Sequence, residues 1–251
     1  MKTVISKVWR QFGLIRKVGL RQYTRYHLSK KGSLVEIKIY GHQIAIRKGT
    51  PDLKVALSCL GGEFKILKYL FPNNFDGIII DAGGYIGAST LALKQMFPKS
   101  KIIIVEPSEE NMSVLKKNLE GMANVHIIHG ALIGSYQKRI ELYNRGTGEW
   151  GFTVVTNPED NPSAQFLRST PAYRLDDLVS EDEQIGLLKL DIEGGELDLF
   201  ENDVVNMKKI DVVLAELHNR IVSGCEEKFF EFSSDRIVIK ARGEKFLSIK
   251  R

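Results

Sequence analysis

Acidic side chains are missing from the first 35 residues. Nine Lys and Arg residues fall there, and Glu36 is the first carboxylate. The whole chain of 251 residues carries a formal +5, so the part beyond residue 35, with 27 basic against 31 acidic groups, has a net charge of −4. The sequence therefore reads as a basic arm, residues 1–33, attached to a mildly acidic body, residues 34–251, whose core spans about 76–251. Cysteine is scarce as well. Cys59 and Cys225 stand alone, without the spacing of a metal or redox motif, which excludes a disulfide-stapled fold and points to a cytoplasmic chain with reduced thiols. Long apolar runs are absent too. The longest stretch free of Asp, Glu, Lys and Arg is Gly121 to Gln137, and Asn124, His126 and His129 interrupt it. That falls short of the ~18 apolar residues of a membrane span. Lys7 and Arg10 break the start before the apolar core of a secretory signal can form.

What is present is ordinary globular composition, 43% hydrophobic and 27% charged. In the arm, Val4, Ile5, Val8, Trp9, Phe12 and Ile15 recur at helical spacing among Lys and Arg residues, the pattern of a basic amphipathic helix. Val35, Ile37 and Ile39, then Gly41, then Ile44 and Ile46 predict a hairpin. A helical pattern covers 52–71, split at Gly61-Gly62. From Gly77 the rhythm becomes regular. Strands at 78–80, 101–106 and 125–129 alternate with helices ending near Phe97 and Leu119. Strands at 186–191 and 212–217 flank a helix from Glu196 to about Met207, and 236–240 with 245–249 form a closing antiparallel hairpin. Such alternation predicts an α/β fold, a doubly wound and mostly parallel sheet. Between the third and fourth units, 140–143 and 152–155 are candidate strands in a loop-rich insertion, the kind of segment that shapes the mouth of a site.

The chemistry concentrates where strands end. Ile80 leads into Asp81-Ala82-Gly83-Gly84-Tyr85-Ile86-Gly87, a glycine turn opening a helix. The glycines lack the G-x-G-x-x-G spacing of a dinucleotide cradle. Asp81 at the strand end would repel a pyrophosphate and suit a cationic ligand. Glu106 ends the next strand, where a carboxylate can accept hydrogen bonds from both hydroxyls of a ribose. A ligand that combines a ribose, an amino group and positive charge is S-adenosylmethionine. Asp191 and Glu193 fall at the end of the fourth strand, on the ligand edge of such sheets. There they can align a sulfonium or accept a proton. Glu196 is a candidate for capping the following helix. Glu216 and His218 end the next strand, and alternation sends both to one side, so they are a candidate carboxylate–histidine base. No cluster has metal-ligand spacing, so no metal is expected.

The turn from Asp81 to Gly87, Val105-Glu106-Pro107-Ser108, Leu188-Lys189-Leu190-Asp191-Ile192-Glu193-Gly194-Gly195-Glu196 and the upstream segment Ile46 to Asp52 together resemble the FkbM-type methyltransferases. The resemblance covers roughly residues 44–218. It implies a Rossmann-like class I methyltransferase sheet, here with an N-terminal hairpin and helix extension. It also implies S-adenosylmethionine as cofactor and O-methylation of a sugar, glycolipid or polyketide-like acceptor. By the same resemblance Asp81, Ala82, Gly83, Gly84, Tyr85 and Gly87 surround the methionine moiety, Glu106 the ribose, and Gly130 and Ala131 the adenine. Two other readings stand beside it, an NAD-dependent oxidoreductase on a similar sheet and a binding module without catalysis. For the basic arm, residues 1–31, peripheral contact with an anionic membrane is an open possibility. No nucleic-acid motif accompanies its charge.

Overall fold

In the computed structural model, residues 13–146, 152–154, 164–241 and 243–251 are described. Most of the expected arm helix, including Trp9, and most of the 144–163 loops lie outside them. The described part of the arm does not stand apart from the body. Residues 13–18 are helical, Gly19 breaks the helix, and α1 follows at Leu20–Leu28. Val18 and Tyr26 are buried in the same core as the hairpin that comes next. Among the described residues, no helix is long and apolar enough to cross a membrane.

That hairpin is β1 (Leu34–Ile39) and β2 (His42–Arg47), paired antiparallel from Leu34↔Arg47 to Ile39↔His42. Helix α2 (Asp52–Ser58) runs into a wide turn, Cys59–Glu63, which Gly62 closes at φ 105°, and then a short 3₁₀ segment, Lys65–Tyr69. The main sheet is built from β3 (Ile78–Ala82), β4 (Lys101–Glu106), β5 (Val125–His129), β10 (Ile185–Leu190), β11 (Val212–Glu216), β12 (Ile237–Lys240) and β13 (Lys245–Ile249). Its spatial order is β12-β13-β11-β10-β3-β4-β5. The five strands from β11 to β5 are parallel, and β13 and β12 add an antiparallel edge. Every residue of β3 and β10 is buried, as expected where helices cover both faces of a parallel sheet. Alternation sends Ile79, Ile102 and Ile104 to one core and Ile78, Ile80, Ile103 and Val105 to the other.

Helices α3 (Ala88–Met96) and α4 (Glu109–Asn118) follow β3 and β4. Helix α4 starts where the Ser108 hydroxyl accepts the Asn111 N–H, with Glu109 and Glu110 in its first turn and Lys116 and Lys117 in its last. Beyond β5, a second sheet joins β6 (Ala131–Leu132), β7 (Arg139–Asn144), β8 (Phe152–Thr153) and β9 (Gln165–Tyr173) in the order β6-β9-β7-β8. The insertion is thus ordered largely by β9, and α5 (Leu175–Leu178) follows it.

Two elements differ from expectation. The single helix predicted from 196 to 207 is two, α6 (Glu196–Asn202) and α7 (Val204–Lys209), because Asp203 leaves helical geometry at φ −126°. Its buried carboxylate holds Arg174 at 2.6 Å and Asn206 at 2.8 Å. A further helix, α8 (Cys225–Phe232), sits between β11 and β12 and packs Phe229 and Phe232 into the second core.

Candidate active site

The carboxyl ends of β11, β10, β3 and β4 open on a cavity of about 260 Å³. Its floor is the turn after β3. Gly83 has φ 76°, and a Cβ there would lie 1.8 Å from the Asp191 carbonyl oxygen. A Cβ on Gly84 would come within 2.3 Å of the Ile104 side chain. Both positions therefore require glycine because β4 and the loop after β10 press on the turn, before any ligand is considered. The backbone N–H groups of Gly83 and Gly84 both donate to the Val105 carbonyl, at 2.9 and 3.2 Å.

Of the residues expected around the cofactor, Gly83, Gly84, Tyr85, Glu106 and Ala131 line the cavity. Asp81, Ala82, Gly87 and Gly130 do not. Asp81 is fully buried, with one carboxylate oxygen taking the hydroxyls of Ser89 (2.5 Å) and Thr90 (2.7 Å) and the other facing Lys189 Nζ at 3.2 Å. Its partner is the protein's own ammonium. Ala82 is buried within the sheet, Gly87 starts α3 over Leu119, and Gly130 is closed in by Tyr173 and the Pro171 carbonyl.

Lys189 belongs to the motif Leu188 to Glu196, and its role becomes visible only in the fold. Register sets it opposite Asp81 across the β3–β10 pair. Its ammonium donates to the Gly83 carbonyl at 2.8 Å and the Ala82 carbonyl at 3.2 Å, and it lies 3.7 Å from Asp191 Oδ2. Burial alone would favour loss of its proton; the charges of Asp81 and Asp191 outweigh that and raise its pKa.

At the β4 end, Glu106 belongs to a closed circuit. Tyr85 N–H donates to Glu106 Oε2 (2.8 Å), and Ser108 N–H and Asn111 Nδ2 donate to Oε1 (3.0 and 3.1 Å). Asn111 Oδ1 in turn accepts from Arg47 Nη2 (2.9 Å), and Arg47 grips both oxygens of Asp52. The Tyr85 hydroxyl closes the ring on Asp52 at 2.5 Å. Tyr85 is held at φ 49°, a conformation uncommon for an aromatic residue, by bonds at both its ends. Burial pushes Glu106 up to about 7 against these three donors. Pro107, Ala131 and Leu132 give the neighbouring wall an apolar surface.

Beyond β10 the geometry corrects one expected pairing. Glu216 and His218 do offer ligand atoms within 4.8 Å of each other, but no hydrogen bond or ion pair joins them. Glu216 is held by Lys245 Nζ at 2.6 Å, which also holds Glu63 at 2.8 Å. The partner of His218 is Glu196, whose Oε1 lies 2.8 Å from Nδ1. The same carboxylate accepts the N–H groups of Ile192 (3.0 Å) and Gly194 (2.8 Å), so Glu196 caps the loop and fixes the imidazole together. On its other side His218 Nε2 faces Asp191 Oδ1 and Glu193 Oε2, each at 3.8 Å. Burial would lower the His218 pKa, but the Glu196 hydrogen bond and the charges of Glu196, Asp191 and Glu193 raise it to about 9. At neutral pH His218 is therefore a cation and cannot accept a proton.

Asp191 and Glu193 both line the cavity. Asp191 stays below the usual carboxylate range: burial opposes its ionisation, and Lys189 and His218 overcome that. Glu193 is pushed up to about 7 by burial, although Arg145 pairs with it. It too is left-handed, at φ 54°, with its carbonyl held by Thr153 of β8 at 2.7 Å. Asp191, Glu193 and His218 offer donor atoms within 4.8 Å of one another, a spacing a divalent cation could bridge. Lys189 and Arg145 already meet their negative charge.

A cavity with a buried, donor-held carboxylate on one side of a glycine turn and acidic groups on the other fits a nucleoside that carries a positive charge. Its place on an α/β sheet of this order defines a Rossmann-like enzyme of the methyltransferase class. Residues 81–237 match the family described as the Methyltransferase FkbM domain, and the chain belongs to that family. Its cofactor is S-adenosylmethionine. Methyltransferase 1 of Beauveria bassiana (strain ARSEF 2860) is 28% identical over 193 residues, covering 69% of this chain and 73% of that protein. Among solved structures, precorrin-6y C5,15-methyltransferase from Geobacter metallireducens GS-15 is similar with a TM-score of 0.41 and 14% identity, over 82% of this chain and 88% of that one. The N-terminal domain of human METTL16 in complex with SAH is similar with a TM-score of 0.45 and 14% identity, over 83% and 75%. Family membership sets aside the NAD-dependent oxidoreductase reading.

Proposed function

We propose that the protein methylates a hydroxyl oxygen of a sugar, glycolipid or polyketide-like acceptor, with Glu193 as the group that receives the hydroxyl proton. The observation that carries this is the state of Glu193. It is a cavity-lining carboxylate held at about 7 by burial, where ionised and protonated forms are both accessible near neutral pH. S-Adenosylmethionine supplies an activated methyl group on a sulfonium. When bound, it would pass that methyl to the acceptor oxygen, the carbon–sulfur electron pair staying on sulfur, and Glu193 would take the acceptor's hydroxyl proton. Arg145 beside Glu193 favours the ionised form that can accept it. Asp191, kept ionised by Lys189 and His218, places a fixed negative charge by the sulfonium. Glu196 and His218 position this pair without exchanging the proton.

Glu193→Gln should lower kcat by about 10²- to 10⁴-fold, the usual contribution of a positioned base, while S-adenosylhomocysteine binds as before in calorimetry. The rate of the unaltered enzyme should rise with pH through about 7, as Glu193 ionises. Full activity of the variant on every hydroxyl acceptor would remove the assignment. Transfer to amine or carbon acceptors alone would remove the oxygen specificity. Binding of S-adenosylhomocysteine without turnover on any acceptor would favour the binding-module reading.

A further inference from the structure

The turn residues expected around the methionine moiety leave its charged end without partners. Asp81 is committed to Ser89, Thr90 and Lys189, and the carbonyls of Ala82 and Gly83 are taken by Lys189. An α-amino acid brings one carboxylate and one ammonium, and both need partners within the cavity. Sheet order sets out where these can be. Glu106 on β4 lies to one side of the β3 turn, while β10, β11 and β13 follow on the other. On that far side the wall carries Lys189, Glu216, Lys245 and Glu63. Lys189 ends a strand next to the turn, Glu216 and Lys245 face each other in register, and Glu63 closes the wide turn after α2.

We propose that this end of the cavity receives the α-amino-acid end of S-adenosylmethionine, with Lys245 facing its carboxylate and Glu63 and Glu216 facing its ammonium. This rests on the cofactor assignment and names the residues that complete it. Lys245 Nζ holds one oxygen of each glutamate, Glu63 Oε1 and Glu216 Oε2. The other oxygen of each carboxylate remains for a cationic ligand. Two carboxylates around one ammonium leave this wall an excess of negative charge for a ligand cation, with Lys245 beside it for a ligand carboxylate. An anionic acceptor would meet two carboxylates here. The acceptor has its own side of the cavity, where Glu193 is bounded by Phe152, Val154 and Arg145. Glu63 and Lys245 lie outside residues 81–237, the part that matches the family.

Two ligands separate this assignment from a structural role. S-Adenosylhomocysteine carries the amino-acid end, and 5′-methylthioadenosine has the same nucleoside without it. In calorimetric titration of the full chain, Glu63→Gln should weaken S-adenosylhomocysteine by about tenfold or more, the cost of one lost charge-assisted hydrogen bond. The affinity for 5′-methylthioadenosine should not change and serves as the check on folding. Glu216→Gln should behave alike and replaces Glu63→Gln if that variant does not fold. Equal weakening of both ligands, or of neither, in folded variants would overturn the proposal. If the unaltered chain binds neither ligand, the cofactor assignment fails and the proposal fails with it.

Discussion

Lys189 places a charged group where the sheet is otherwise aliphatic, and the site is organised around it. Its side chain is 7% exposed, Asp81 is 0% exposed, and no water can replace the ammonium between them. Lys189→Met keeps the volume and removes the charge, leaving Asp81 and Asp191 to face each other. Loss of one partner from a buried pair costs about 3–5 kcal/mol, which urea denaturation should register, and the turn carbonyls of Ala82 and Gly83 lose their donor as well. A variant as stable as the parent would contradict the role of Lys189 in balancing the buried carboxylates. The sequence motif contains this residue but does not reveal its role, since a lysine in a strand ordinarily signals a solvated face. The bonded partner of His218 was hidden for another reason: Glu196 lies 22 residues earlier, at the start of α6, a spacing that no strand period reveals.

At the scale of elements, the hairpin β1–β2 and helix α2 act on the cofactor site from outside it. Arg47 ends β2 and Asp52 begins α2, and their pair fixes Tyr85 and Asn111, which fix Glu106. Asp52→Ala should cut S-adenosylhomocysteine affinity several-fold, because Tyr85 and Arg47 lose their common acceptor. The accompanying loss of stability should be about 1–3 kcal/mol, as for other unsatisfied buried donors. Calorimetry and denaturant melts check the two effects separately, and unchanged affinity would leave the circuit purely structural. The strands of this sheet were legible because short apolar runs, such as Ile78–Ile80, Ile102–Val105 and Val212–Ala215, each end in a carboxylate. Strand β9 was not, since Pro171 argues against a strand interior; here it occupies the last residue pair with β7, where pairing ends. Helix α8 did carry a signal, with Cys225, Phe229 and Phe232 recurring on one face. The break at Asp203 depended on Arg174, a partner 29 residues away that no local pattern reveals.

For the molecule as a whole, three buried groups shift in one direction. Glu106 and Glu193 go from 4.5 to about 7, so the folded state favours their protonated forms, and that preference is lost as pH rises from 4.5 to 7. His218 goes from 6.5 to about 9, so its contribution is complete below 6.5 and disappears as pH passes about 9. The ligand-free protein should therefore be more stable at pH 5 than at pH 9 in denaturant melts. S-Adenosylhomocysteine should bind more tightly at pH 8 than at pH 6, since ionised Glu106 is the better acceptor for ribose hydroxyls. Stability that rises from pH 5 to pH 9 would contradict the burial of these groups.

The cavity also has an order of assembly in time. Its walls come from residues 54–64, from the sheet between 83 and 216, and from Lys245. A ribosome that has released the entire family-matching stretch has still not delivered the residue that ties Glu63 to Glu216. The nascent chain can fold its central strands, yet it cannot close around a ligand until β13 has emerged and added its edge to β11. Closure of the cavity thus waits for β13, and a nascent chain without it would hold an open groove in place of a binding site.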